Sequence, residues 1–248
     1  MTPCSSWLMG HPIDEGLLTA NRIAELEESP VVGRFDTTHL CTIHSRIFQD
    51  LPHHHPGQFR RKTSTWVKAR ALESGEYYAV PYAPWTLLES RLAPVLKDVQ
   101  GPLGFRGLSR DLFATRMAQF YADLDYLHPF SEGNSRTLRT FTRHVSREAG
   151  FDLDWSPSNA DGTTRDQLYR ARDLAVIHRA FPNLDEQRAM ETDDRMEYET
   201  YWVLKKLQQA TPLEVIIRQY TTLHEEHHNA LPRAGRDEPE EHYEPESE

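Results

Sequence analysis

Cysteine is nearly absent. Cys4 and Cys41 are the two among 248 residues, too few for a disulfide framework and without the paired spacing of a zinc site, which favours a reducing cytoplasm. Long apolar runs are missing as well. No stretch approaches the roughly eighteen consecutive apolar residues of a membrane span, and the N-terminus lacks a basic-then-apolar secretory signal, so no membrane partner is expected. Basic stripes are also lacking. The net charge is −10, with seven acids and no Lys or Arg in Asp237 to Glu248, which leaves the body at about −3. A general nucleic-acid binder is not expected from that balance.

What is present is ordinary for a soluble globular chain, 38% hydrophobic and 27% charged, and long enough to bury a sizeable core. The expected organisation is an N-terminal extension with a helix at 1–30, a main helical domain at 31–230, and an acidic tail at 231–248. That tail, with Pro232, Pro239 and Pro245, cannot bury enough apolar surface to order itself.

One stretch stands out: His128-Pro-Phe-Ser-Glu-Gly-Asn-Ser-Arg-Thr-Leu-Arg139. Before it, Phe113, Met117, Phe120, Tyr121, Leu124 and Leu127 line one face of a helix that Ser109 caps. Pro129 disfavours helical geometry at His128, placing the imidazole at the helix end and free to point into a cleft. After it, Leu138, Phe141, Val145 and Ala149 resume a helical stripe that Gly150 closes. The loop therefore feeds a helix N-terminus, where unpaired N–H groups and partial positive charge suit an anion, and Gly133, Asn134 and Ser135 can wrap one. Arg136 and Arg139 share a helix face and extend the positive surface toward further phosphates. Glu132 supplies the hard oxygen a magnesium ion would want. A histidine, a carboxylate, an anion cradle and two arginines together make a phosphate-handling site.

These residues resemble the Fic family motif, His-x-Phe-x-Asp/Glu-Gly-Asn-Gly/Lys-Arg-x-x-Arg. His128, Phe130, Glu132, Gly133, Asn134, Arg136 and Arg139 match it, and Ser135 departs from the usual Gly or Lys. The resemblance implies an all-α fold with a small β-hairpin flap over the active site. It also implies an adenylyltransferase that moves AMP from Mg-ATP to a Ser, Thr or Tyr hydroxyl of a target protein. On that resemblance His128 is the general base, Phe130 a buried anchor, and Glu132 the magnesium ligand. Gly133, Asn134 and Ser135 would lie at the α- and β-phosphates, with Arg136 and Arg139 at the β/γ end. In such transfers most of the rate comes from positioning and charge neutralisation. The Ser135 Cβ restricts positive φ, and its hydroxyl can crowd or contact a phosphate. Slower transfer, an altered nucleotide preference, or a non-catalytic nucleotide- or partner-binding relative are the alternatives, as is transfer of UMP, phosphocholine or phosphate. The family further implies a toxin held off by a small antitoxin-like protein, or an effector delivered into another cell.

Elsewhere, Asp14 to Glu28 reads as a helix with Leu17, Leu18, Ile23 and Leu26 as its apolar face. Leu40, Ile43, His44, Ile47 and Phe48 mark a second helix, in a pattern similar to an early Fic helix. Pro52-His-His-His-Pro56 reads as a loop, because sequence neighbours rarely converge on one metal ion. Thr65 to Val67 and Tyr77 to Val80 flank a Ser74-Gly75 turn signal, predicting a hairpin. In the Fic family this hairpin is the flap that aligns a target strand. Pro84 to Val99, Thr164 to Ala180, Glu191 to Gln209 and Pro212 to Asn229 are further predicted helices.

Two C-terminal patterns compete with this reading. His224-Glu225-Glu226-His227-His228 satisfies a His-Glu-x-x-His zinc peptidase spacing, but the acidic remainder offers no third ligand or cleft. The other concerns the Ser/Thr-x-x-x-Glu-Gly/Asn helix by which many Fic proteins are inhibited. Its spacing recurs at Thr221/Glu225 and Thr222/Glu226, without the following Gly or Asn, so a separate inhibitory partner is the expectation.

Overall fold

Asp14 starts the first helix, α1 (Glu15–Glu28), by accepting the Leu17 N–H at 3.0 Å, one of the donors a helix start leaves unpaired. This is a computed structural model describing residues 14–63 and 66–223. The predicted apolar face of α1 is only partly used. Leu26 is fully buried and Leu18 and Ile23 pack on the core, but Leu17 is 59% exposed. The helix lies as an outer layer on α2 (Thr37–Phe48), so its contact stripe is narrow. In α2, Leu40, Ile43, His44, Ile47 and Phe48 are all buried.

The predicted hairpin is present, with β1 (Trp66–Ala71) antiparallel to β2 (Tyr77–Tyr82) in the register Trp66↔Tyr82 and Ala71↔Tyr77. Tyr78, Val80 and Tyr82 face inward, as alternation along a strand requires. An ion pair fastens the hairpin to the body. Arg70 donates through Nε and Nη2 to Asp173 at 2.7 Å each, and the Tyr78 hydroxyl donates to the same carboxylate at 2.9 Å.

The remaining helices are α3 (Trp85–Asp98), α4 (Arg110–Leu127), α5 (Asn134–Glu148), α6 (Gly162–Ala180), α7 (Glu186–Glu191), α8 (Arg195–Leu207) and α9 (Leu213–Gln219). The axis of the fold is α4, which packs against α3, α5, α6 and α9. Its six predicted core residues, Phe113, Met117, Phe120, Tyr121, Leu124 and Leu127, are all buried, each worth about 1.5–3 kcal/mol of transfer free energy. Leu26 of α1 belongs to the same core. Among the described residues, no helix is long and apolar enough to cross a membrane.

Three expectations change. The helix predicted over Glu191 to Gln209 is α8 and starts only at Arg195, because Glu191 ends the separate α7 and Thr192 to Asp194 form a break where Asp194 caps α8 by accepting the Met196 N–H at 2.8 Å. The helix predicted over Pro212 to Asn229 stops at Gln219, and β-branched Thr221 and Thr222 continue as strand β4 (Thr221–Leu223). That strand pairs antiparallel with β3 (Phe151–Leu153), so the hairpin is joined by a second two-stranded sheet. Three-residue strands are too short to show alternation. Thr221 and Thr222 therefore do not lie on a helix. Glu225, Glu226, the His224-to-His228 pattern, Cys4 and the 231–248 tail lie outside the described residues.

Candidate functional site

The last turn of α4 closes at His128, whose N–H donates to Leu124 O at 3.1 Å and whose φ of 46° is left-handed. Pro129 prevents continuation. Arg60, 1% exposed, holds this bend from behind. Its Nε donates to His128 O at 2.8 Å and its Nη2 to Leu127 O at 3.3 Å and to Ala83 O. Phe130 is fully buried, stacked on His44 with centroids 3.8 Å apart. The Gly57 N–H donates to His44 Nδ1 at 2.9 Å, which puts the ring proton on Nε2, 3.2 Å from its acceptor Glu132 O. Burial pushes the His44 pKa down to about 4, so the neutral ring is a fixed strut under the loop.

The Asn134 side chain is engaged within the loop. Its Oδ1 accepts the Phe130 N–H at 2.9 Å and its Nδ2 donates to Phe130 O at 2.6 Å, so the side chain braces the loop. Gly133 is required twice over. Its φ is +77°, and a Cβ there would lie 2.1 Å from Phe48 Cζ. The first carbonyl used by α5 is Gly133 O, bonded by the Thr137 N–H at 3.0 Å. The N–H groups of Asn134, Ser135 and Arg136 lie ahead of that bond, as an anion cradle requires. Glu132 is exposed. Its Oε1 accepts the Gly133 N–H at 2.9 Å, and its Oε2 lies 3.5 Å from Lys68 Nζ on β1.

His128 is not open to a cleft. It is 4% exposed, with the Tyr82 ring 4.0 Å away centroid to centroid, so the hairpin does lie over the loop. The local cause is that Tyr82 ends the inward face of β2. Burial lowers the His128 pKa to about 4, against the opposing pull of Asp125; at neutral pH the ring is uncharged and able to accept a proton. Asp125 Oδ1 lies 3.8 Å from His128 Nδ1. The same carboxylate receives Arg172 Nε and Nη2 at 3.0 and 2.9 Å, and Arg172 Nη1 donates to Ser135 Oγ at 2.9 Å.

Arg136 Nη1 donates to Thr19 Oγ1 of α1 at 2.8 Å, and its guanidinium lies 4.8 Å over the Phe48 ring. Arg139 donates to Ser135 O, Ser158 Oγ and Asn159 Oδ1 at 3.1 to 3.3 Å. Both arginines line one cleft of about 200 Å³ with Ile23, Arg143 and Asn159. That is below the roughly 300–1,000 Å³ of common small-molecule sites. A larger hollow of about 550 Å³ lies away from this loop, between β2 and α8.

His128, Glu132, Gly133, Asn134, Ser135, Arg136 and Arg139 thus gather around one bend and one helix start, with the arginines lining a cleft and the imidazole covered by Tyr82. Sequence reasoning missed Arg60, Asp125, Arg172 and Tyr82. Asp125 alone had a local signal, since it stands one helical turn before His128.

Residues 34–145 match the Fic/DOC family. Protein adenylyltransferase VbhT of Bartonella schoenbuchensis is 30% identical over 150 residues, which are 60% of this chain and 28% of that protein. The probable protein adenylyltransferase Fic of Escherichia coli K12 is 28% identical over 138 residues, 56% of this chain and 62% of that protein. This chain therefore spans less than two thirds of either relative. Among solved structures, the N-terminal Fic domain of a Bartonella quintana cell filamentation protein with bound ADP superposes with a TM-score of 0.55 at 22% identity, covering 86% of this chain and 85% of that one. BepC of Bartonella tribocorum with bound AMPPNP gives 0.56 at 18%, covering 84% and 85%. The fold and the motif agree, and the chain carries a Fic/DOC family domain at residues 34–145.

Proposed function

We propose that this chain is a protein adenylyltransferase that moves AMP from magnesium-bound ATP to a Ser, Thr or Tyr hydroxyl of a target protein. The observation that carries the reading is the bend itself. An uncharged imidazole sits at the end of α4, and six residues later Asn134 begins the N-terminal turn of α5. In the proposed step the acceptor oxygen attacks the α-phosphorus, the bond to the bridging oxygen of the β-phosphate breaks, and pyrophosphate leaves with that electron pair. His128 takes the hydroxyl proton. The α5 N–H groups hold phosphate oxygens, and Arg136 and Arg139 neutralise charge toward the β/γ end. Arg60 and the Asp125–Arg172 pair keep the imidazole in place.

Glu132 fits a magnesium ligand: an exposed carboxylate beside a helix start, with one oxygen 3.5 Å from an ammonium that an ion could displace. When bound there, magnesium supplies charge neutralisation on the phosphates. The adenylyltransferase relatives, and the ADP and AMPPNP bound in other proteins of the same fold, support the reading; the target protein, a cytoplasmic toxin role and delivery into another cell stay with the proposal. Control by a small antitoxin-like partner fits better than control by Thr221 to Glu226, because Thr221 and Thr222 are strand.

The cover over His128 favours a second reading, a silent nucleotide- or partner-binding relative. The two separate in a lysate incubated with α-labelled or γ-labelled ATP, with and without His128→Ala. Protein label from the α position that is lost in the variant, by ~10²–10⁴-fold, supports adenylylation, provided the variant still binds ATP. Label from the γ position means phosphorylation. No His128-dependent label with either, after removal of any copurifying inhibitor, overturns the proposal.

A further inference from the structure

Glu15 at the start of α1 and the histidines of the Pro52–His54 3₁₀ turn meet at the surface. His53 Nε2 lies 2.8 Å from Glu15 Oε1 and His54 Nε2 lies 3.0 Å from Glu15 Oε2, and the three donor atoms are all within 4.8 Å of one another. From the contiguous histidines alone no convergence is expected. The structure supplies what the local sequence does not, a carboxylate from a different element, and a turn tight enough to send both rings the same way. We infer that Glu15, His53 and His54 form a zinc-type transition-metal site that clamps α1 to the body of the domain.

The donor chemistry is two imidazole nitrogens and one carboxylate oxygen, the set that suits zinc and its neighbours and leaves a fourth position for water. Ligands about 2.0–2.2 Å from a tetrahedral ion stand roughly 3.3–3.6 Å from each other; the two His–Glu contacts are 2.8 and 3.0 Å, and one donor atom from each of the three residues lies within 4.8 Å of the others. The turn is stiff: Pro52 and Pro56 bracket it, His55 is left-handed at φ 52°, and the His54 and His55 N–H groups donate to Leu51 O and Pro52 O at 3.0 and 3.1 Å. His54 is largely buried, its ring edge-on to Phe48 at 5.3 Å.

The clamp reaches the motif. Thr19 Oγ1, one turn along α1, donates to Glu15 O at 2.8 Å and accepts from Arg136 Nη1 at 2.8 Å. Phe48, which carries the His54 ring on one side, also meets Gly133 and lies under Arg136. An ion bound here fixes the helix that engages Arg136, and this holds whether or not the domain transfers AMP.

The test uses the full chain stripped of metal with a chelator and titrated with Zn²⁺ or Co²⁺ alone. The expected result is one saturable site with a Co²⁺ visible spectrum of low coordination number. Zinc should also raise Tm and slow amide exchange across Glu15 to Glu28. Glu15→Gln and His54→Gln should each weaken this site by roughly 100-fold or more, since loss of a ligand exceeds loss of an outer partner. Both should keep the wild-type Tm in chelator to within a few degrees. A His224→Gln/His228→Gln variant, which removes the C-terminal histidine pair, should keep the site. Absence of binding to the wild-type chain, or binding that survives Glu15→Gln, His53→Gln and His54→Gln, overturns the inference.

Discussion

Arg172 donates to Ser135 Oγ at 2.9 Å while its other two nitrogens hold Asp125, the carboxylate behind His128. The serine that departs from the family motif therefore has a specific partner, turned inward from the anion cradle. Ser135→Gly removes one hydrogen bond to a charged donor and adds backbone freedom, a loss of about 1–3 kcal/mol. Arg172→Leu is different in kind, because it leaves a fully buried carboxylate without its cation. About 3–5 kcal/mol should go. Urea denaturation of both variants checks the order; equal losses would show that Ser135, rather than Asp125, is the partner that matters to Arg172.

Acid should weaken the fold through its buried histidines. His44, His128 and His144 are each pushed down to about 4 by burial, from an ordinary 6.5. A depressed folded pKa means the unfolded chain takes the proton first, so the stability these neutral rings confer is complete above about pH 6.5 and is lost as pH falls toward 4. Each ring contributes on the order of 3 kcal/mol across that window. Denaturation midpoints at pH 7.5, 6 and 5 should fall steadily, and the slope should shrink in His144→Gln. A flat profile between 7.5 and 5 would show that these rings titrate in the fold where they do in the unfolded chain, so that burial does not depress them.

How much of this could be read beforehand depended on the range of the interaction. The α4 stripe, the Ser109 cap and the Gly75 turn are signals within a few residues, and each appears where expected. The motif loop was legible for the same reason, being twelve contiguous residues. The β3–β4 sheet joins Phe151 to Leu223, and no local pattern announces so distant a pairing. Tyr82 over His128, Arg60 under it and Arg172 beside Asp125 likewise come from elements that tertiary packing alone brings together. The Leu17 and Asn134 outcomes add that residue type predicts a chemistry but not its recipient. Leu17 faces outward because α1 rests on the body along one narrow line, and the Asn134 amide serves its own loop.

Gly133→Ala tests how tightly the cradle is built. The left-handed backbone costs an L-residue about 1–2 kcal/mol, and the added methyl also meets Phe48. A total loss above about 3 kcal/mol is expected. Phe48→Ala on its own costs about 3–5 kcal/mol through its cavity, yet it also clears the space the methyl needs. The double variant should therefore lose less than the sum of the singles, a coupling seen in a thermodynamic cycle. Strict additivity would mean that strain in φ, and not the Phe48 contact, is the whole reason for glycine.

The cover on His128 makes a prediction that does not depend on what the domain catalyses. Burial is the largest cause of the low imidazole pKa, and the Tyr82 ring is the nearest aromatic cover, 4.0 Å away. Tyr82→Ala opens that side to water and leaves Asp125 free to favour the charged ring, so the His128 pKa should climb from about 4 toward 6.5. The variant also loses packing, about 3–5 kcal/mol by analogy with other large aromatics. Tyr82→Phe separates these effects. It keeps the ring and gives up only the hydroxyl, 3.4 Å from Arg70 Nη2, so its imidazole should titrate near the wild-type value. Imidazole proton shifts followed by NMR from pH 7.5 to 4, assigned through His128→Gln, give all three values. A Tyr82→Ala titration that stays near 4 would move the source of desolvation from the hairpin to the floor of the bend, where Arg60 and Leu127 lie.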